Sequence, residues 1–284
     1  MMTAYLFPGQ GSQKLGMGAE LFPLFPELVE KAEQILGYSL VDLCLHDSHK
    51  QLNNTAFTQP ALYVVNALSY LKKINEAEGK KPDYFLGHSL GEYNALWAAG
   101  VFDFETGLIL VQKRGQLMSQ AVNGCMAAVI GLSSNQVASI LANNNLSELA
   151  IANYNSYLQQ VISGPSAAIS KAKEYFINAG AKLYLLLAVT GAFHSSLMEA
   201  ARLEFTEFLA PYHFSAPELP VIANLNAQPY QAAEIHQTLA LQIDHPVQWL
   251  QSIRYLVRLS EDDFQEVGPG KVLTNLIVRI NDGQ

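Results

Sequence analysis

Ser89 stands between two glycines in GHSLGEYNAL, residues 87–96, directly after the apolar run YFL and before an alanine- and leucine-containing segment. A serine hydroxyl is a weak nucleophile until a neighbouring base takes its proton, and it must also project clear of the main chain. A G-x-S-x-G string between a strand and a helix meets the second need. The serine takes a strained backbone conformation on a sharp turn, and any side chain two residues before or after it would collide with that turn. Gly87 and Gly91 occupy those two positions. The competing reading is a small residue in a tight turn, and the strand and helix predicted on either side favour a nucleophile.

Seven histidines could serve as the base. His46 and His49 fall in a polar loop, and His213, His236 and His245 lie near helix ends or turns, where surface or capping roles are expected. His88 adjoins the serine, but neighbours on a strained turn point apart, which assigns it a supporting role. His194 follows GAF at a strand-to-helix junction, where it opens a helix. Side chains of α/β active sites collect at such junctions, so His194 is the candidate base.

Two other features bear on the same chemistry. The loop PGQGSQ (8–13) follows the first predicted strand, lacks the Lys-Ser/Thr of a phosphate-binding loop, and could supply oxyanion donors. In GLILVQKRGQLMSQA, Arg114 falls on a largely apolar helix; near the serine its guanidinium would select an acyl group carrying a carboxylate. Its competing reading is a solvated arginine lying along an amphipathic helix.

Positioning these residues requires an α/β scaffold. AYLF (4–7) reads as a buried strand, FPELVEKAEQILG as a helix stopped by Gly37, and TQPALYVVNALSYLKKINEAEG as a longer helix starting near Pro60. DYFLGHSLGEYNALWAAG reads as strand, turn and helix ending at Gly100, with a further helix from Asp103 or Thr106. Between about 124 and 191 the pattern changes. Short strands at MAAVIGL, LAIANYN, QQVISG and KLYLLLAV interleave with helices at SNQVASILANNN and SAAISKAKEYFINAG, which suggests a small inserted α+β subdomain. FHSSLMEAARLEFTEFLAPY reads as an amphipathic helix, PVIANLN as a strand and VQWLQSIRYLVRL as a helix. FQEVGPGKVLTNLIVRI reads as strand, glycine turn and helix.

Composition excludes several classes. The chain has 284 residues, half of them hydrophobic, 15% charged, with a net charge of −8. That balance argues against nucleic acid or an anionic membrane surface as the main partner. Two cysteines, Cys44 and Cys125, give neither a disulfide framework nor a zinc spacing, so no metal is expected and a reducing cytoplasmic setting fits. The longest apolar run, LYLLLAV, is far short of a membrane span, and no export segment is read at the N-terminus.

FPGQGSQ, TQPAL (58–62), GHSLGEYNAL, QKRGQLM, GAFHSSLM, HPVQW and EVGPGKVLTNL together resemble the malonyl-CoA:acyl carrier protein transacylase family, in order and from residue 5 almost to the end. The resemblance is strongest to free-standing, trans-acting acyltransferases of polyketide synthases such as the disorazole type. It implies an α/β-hydrolase-like large subdomain (1–123 and 192–284) with an inserted ferredoxin-like small one (124–191). It implies Ser89 as nucleophile and His194 as general base in a Ser-His dyad, and the N–H groups of Gln10 and Leu90 as oxyanion hole. Arg114 would hold the malonyl carboxylate, with Gln59, His88 and Phe193 lining the site. A main-chain carbonyl near Gln248, in HPVQW, would orient the imidazole instead of an aspartate. The expected partners are malonyl-CoA and an acyl carrier protein, free or as a synthase domain, with no cofactor and a monomeric enzyme. Fatty-acid synthesis is the alternative pathway, and a carrier-protein acyl hydrolase the alternative activity, disfavoured because such members tend to lack the arginine. NYNSYLQ (153–159) departs from the family's usual N-x-N-S-P-x-Q by placing Tyr157 where proline is common, which bears on the shape of a loop expected to border the pocket.

Overall fold

A computed structural model describes residues 2–121, 123–189, 191–259 and 261–284, excepting the side chains of Glu261 and Asp262. The chain runs β1 (Met2–Phe7), α1 (Pro26–Leu36), α2 (Leu40–Leu45), α3 (Thr55–Glu76), β2 (Tyr84–Gly87), α4 (Gly91–Ala98) and α5 (Phe104–Ser119). It continues through β3 (Gly124–Ile130), α6 (Ser134–Asn143), β4 (Ala150–Ser156), β5 (Gln159–Pro165), α7 (Ser166–Asn178) and β6 (Leu183–Leu186). The last elements are α8 (Glu199–Leu209), β7 (Val221–Ile222), α9 (Ile235–Leu241), α10 (Trp249–Arg258), β8 (Glu261–Glu266) and α11 (Val272–Asn281).

One sheet, ordered β7-β2-β1-β8, is parallel throughout. Parallel strands buried on both faces must be apolar at successive positions, and β1 obeys this. Tyr5 and Phe7 pack with Tyr70, Phe85 and the helices α3 to α5, while Ala4 and Leu6 pack with Trp249, Ile253, Leu273 and Ile277 of α10 and α11. Helices therefore cover both faces, and the loops after β1 and β2 open at one carboxyl edge, where α/β folds place their sites.

The second sheet, ordered β4-β5-β3-β6, is antiparallel, and with α6 and α7 gives the βαββαβ succession of a ferredoxin-like unit. It has its own core around Val129, Ile162, Ile169 and Phe176. Its opposite face contributes Met126, Ala128 and Val161 to the core of the large body. Main-chain bonds also tie the two together: Val247 N–H donates to Ala152 O at 2.9 Å and Tyr154 N–H to Val247 O at 3.0 Å.

Three local expectations are corrected. α3 begins at Thr55, capped by Asn54, so Pro60 lies inside it and forgoes a single main-chain bond rather than opening the helix. The segment after GAF is not yet helical: a 3-10 turn spans Ser196–Met198, α8 starts at Glu199, and His194 precedes both with a φ of 57°. The segment 153–159 borders the pocket through Asn153, Asn155 and Gln159 but is paired strand and hairpin rather than loop, and Tyr157 sits at its tip, 37% exposed, where its ring meets Arg254 away from the pocket.

Candidate active site

Ser89 has a φ of 51°, a left-handed conformation that costs a non-glycine residue free energy and is kept only when the surroundings impose it. Here the surroundings do. A Cβ on Gly87 would lie 1.9 Å from the Gly91 carbonyl carbon, and one on Gly91 would lie 2.0 Å from the Phe7 oxygen. The side chain of Asn224, just past β7, clamps the bend: its Oδ1 accepts from Ser89 N–H at 2.7 Å and its Nδ2 donates to Gly87 O at 2.6 Å.

Ser89 Oγ lies 2.8 Å from His194 Nε2. On the other side of the ring, Nδ1 faces the main-chain oxygens of Gln242 at 2.8 Å and His245 at 3.1 Å. Carbonyl oxygens only accept, so Nδ1 carries the proton and the Nε2 lone pair faces the serine hydroxyl. One of these two oxygens, that of His245, lies in HPVQW, while Gln248 itself does not reach the imidazole: its N–H bonds to Asn224 O and its carbonyl accepts from Ser252 at the start of α10. His194 is buried, and its pKa is pushed down to about 3, chiefly by loss of water and next by the nearby charge of Arg114.

Arg114 is fully buried on α5, which excludes the solvated reading. Its Nη1 donates to Gln59 Oε1 at 2.8 Å, and its Nη2 donates to Gln242 Oε1 at 2.8 Å and to Ser89 Oγ at 3.1 Å. Tyr93 stacks beside it, with the guanidinium carbon 5.6 Å from the ring centre, and among the described residues Nε has no hydrogen-bond partner. All these partners are neutral, so the cation is oriented without being neutralised. Among the described residues, the main-chain N–H groups of Gln10 and Leu90 have no protein acceptor.

Gln10, Gln59, His88, Ser89, Leu90, Arg114, Phe193 and His194 all line one small cavity of about 70 Å³, closed by Met118, Met126, Leu187 and Val189. A groove of about 490 Å³ shares Gln10, His88, Asn153, Leu187 and Val189 with it and leads outward between the two sheets. His88 turns its Nε2 to Asn155 Oδ1 at 2.9 Å, linking the bend to β4 rather than to the hydroxyl. Asn224, Gln242 and Glu92 were not foreseen. The carboxyl-edge rule could have flagged Asn224, and a charged residue in the apolar helix GEYNALWA could have flagged Glu92; Gln242 carries no local signal.

The acyl transferase domain model matches residues 4–279. The chain is 55% identical over 284 residues to the polyketide biosynthesis malonyl CoA-acyl carrier protein transacylase BaeC of Bacillus velezensis, covering 99% of this chain and 97% of that one. The crystal structure of the malonyl CoA-acyl carrier protein transacylase from Burkholderia pseudomallei superposes with a TM-score of 0.96 at 46% identity, covering 100% of this chain and 99% of the other. A malonyl-transacylase in complex with its type II polyketide synthase acyl-carrier protein superposes with a TM-score of 0.94 at 36% identity, covering 100% and 94%. A match of this extent, over a serine on a strained strand-to-helix bend with a buried histidine 2.8 Å from its hydroxyl, leaves one assignment: the chain belongs to the acyl transferase family.

Proposed function

We propose that the chain transfers a malonyl group from malonyl-CoA to the phosphopantetheine thiol of an acyl carrier protein through an ester on Ser89. The observation that carries this reading is the fully buried Arg114, 3.1 Å from the Ser89 hydroxyl and surrounded by neutral partners. A buried cation without a contacting anion is costly, and a substrate carboxylate would relieve that cost. An acetyl group would not.

The steps follow from the proton inventory. Ser89 Oγ attacks the thioester carbon while its proton passes to His194 Nε2; the Nδ1–H bonds to Gln242 O and His245 O hold the ring and stabilise the imidazolium. The N–H groups of Gln10 and Leu90 take the oxyanion, and collapse expels the CoA sulfur, which recovers the proton from His194. The carrier thiol then enters by the same groove, gives its proton to His194 and attacks the ester, and Ser89 leaves with that proton. Thioester and serine ester lie close in free energy, so this chemistry asks for no cofactor. Gln59 and His88 line the acyl cavity, and Phe193 leaves little space for an α-substituent.

Charge links recognition to catalysis. Arg114 depresses the basicity of His194, so a carboxylate on the guanidinium offsets that charge and eases imidazolium formation when the correct acyl group is bound. The work is divided between a large catalytic unit (1–123 and 192–284) and a small one (124–191) that walls the groove. The likeness to the polyketide biosynthesis transacylase of Bacillus velezensis supports carriers of a polyketide synthase, served in trans, as the acceptors. Among the described residues no helix is long and apolar enough to cross a membrane, and we place the enzyme in the cytoplasm.

Incubation with labelled malonyl-CoA and then a phosphopantetheinylated carrier tests the reading. Expected is label on the protein that moves to the carrier, and none with Ser89→Ala. Full transfer by Ser89→Ala, or release of free malonate with no passage to the carrier, contradicts it.

A further inference from the structure

We infer that the side-chain amide of Gln242, fixed by the buried carboxylate of Glu92, is a positioning element that aims the Arg114 guanidinium for an acyl carboxylate. The inference rests on the malonyl-transfer reading above and assigns to it two residues that touch no reacting atom in that scheme through their side chains.

Gln242 is 1% exposed and bonds to Ser89, His194 and Arg114. Its main-chain oxygen accepts from His194 Nδ1 at 2.8 Å. Its Nε2 donates to Ser89 O at 2.8 Å and to Glu92 Oε2 at 2.7 Å, while its Oε1 accepts from Arg114 Nη2 at 2.8 Å. An amide could be turned over, exchanging oxygen and nitrogen, but here that would set Oε1 against the Ser89 and Glu92 oxygens and Nε2 against a guanidinium donor. Acceptor would face acceptor and donor would face donor, so one orientation survives.

Glu92 enforces that choice. It is fully buried one turn past the nucleophile, where its oxygens accept from Tyr230 OH, Gln242 Nε2 and, at 3.3 Å, Asn224 N–H. Burying a carboxylate is expensive unless its partners need it there. Placed directly on Arg114 it would occupy the cation that the substrate must find. Separated from it by the neutral Gln242 amide, it orients the guanidinium and supplies a distant countercharge while the contact position stays free. Gln59 performs the matching task on Nη1.

The test is Gln242→Met in the full chain, which removes the amide but keeps side-chain length and the main-chain oxygen that His194 needs. Steady-state transfer is measured with malonyl-CoA and with acetyl-CoA, alongside thermal melting. Expected is a fall of about tenfold or more in kcat/KM for malonyl-CoA, carried mainly by KM, with acetyl transfer changed less than about threefold. Glu92→Gln, close in shape, shifts the malonyl-to-acetyl ratio in the same direction by a smaller factor and decides the matter should Gln242→Met not fold. Equal losses on both substrates, or an unchanged ratio in folded protein, overturn the inference while leaving malonyl transfer standing. Absence of malonyl transfer by the unaltered chain would overturn the underlying reading, and this inference with it.

Discussion

At the scale of single residues, the site sets a cation and a base close together and gives both only neutral hydrogen-bond partners. Truncating Arg114 to alanine removes the pairing available to a substrate carboxylate. Malonyl transfer is expected to fall about a hundredfold or more, while acetyl transfer is retained or gains, as read from kcat/KM for the two thioesters. The base makes a second prediction. Because the His194 pKa lies near 3, the neutral imidazole is the species present above that pH. In Glu92→Gln, which lacks the buried carboxyl that desolvation raises to about 7, kcat/KM therefore stays level as pH falls from about 8 to about 5, without the limb near 6.5 that an unperturbed imidazole would give. Removing the Arg114 charge takes away one of the two main causes of the depression, so the acid limb of acetyl transfer in Arg114→Ala moves to higher pH. A titration limb near neutrality in the Glu92→Gln enzyme would contradict the burial of His194. Ser89 and His194 were legible in the sequence because each chemistry demands a particular residue type in a particular local setting, whereas Arg114 had a competing solvated reading until the family resemblance assigned it the carboxylate. Of the acceptors for His194 Nδ1, the His245 oxygen lies in the HPVQW segment that the family resemblance marked, whereas the Gln242 oxygen carries no side-chain signal and was not foreseen.

At the scale of elements, the bend between β2 and α4 is where steric limits are tightest. Gly91→Ala would drive a methyl group into the Phe7 oxygen, and main chain on both sides cannot retreat. Expected is a loss of roughly 2–4 kcal/mol of stability, seen as a lowered melting temperature, together with loss of acylation as the strained Ser89 turn opens. Gly16→Ala offers the contrast: a Cβ there meets nothing within 4 Å, and only the positive φ opposes it. Strand and helix identities could be read from apolar periodicity and glycine stops, as at Gly37 and Gly100. Their exact beginnings could not. α3 starts before Pro60 because Asn54 caps it, a side-chain bond that outweighs proline's preference for the first turn. α2 and α9 are too short to show a period, and the left-handed His194 delays α8 until Glu199.

At the scale of the whole molecule, function resides between two sheets of different construction. The parallel sheet presents the bend and the Gln10 loop at one edge. The antiparallel sheet brings Met126, Asn153 and Val161 against them to form the walls. The four-strand order of the small sheet follows from the sequence pattern once the family resemblance supplies the topology. How the two sheets dock does not, because Val247 and Ala152 join through main-chain atoms far apart in the chain. Likewise Glu92 and Gln242 meet across a separation of 150 residues with no periodicity to announce it. What the assembled molecule should do is accept one acyl group, on one oxygen, in preference to an uncharged one. The direct measurement is mass spectrometry of the intact protein and its peptides after brief exposure to equal concentrations of malonyl-CoA and acetyl-CoA. A malonyl adduct confined to Ser89 and predominating over acetyl is predicted; no adduct, an adduct on another residue, or equal amounts of the two acyl groups would contradict the account.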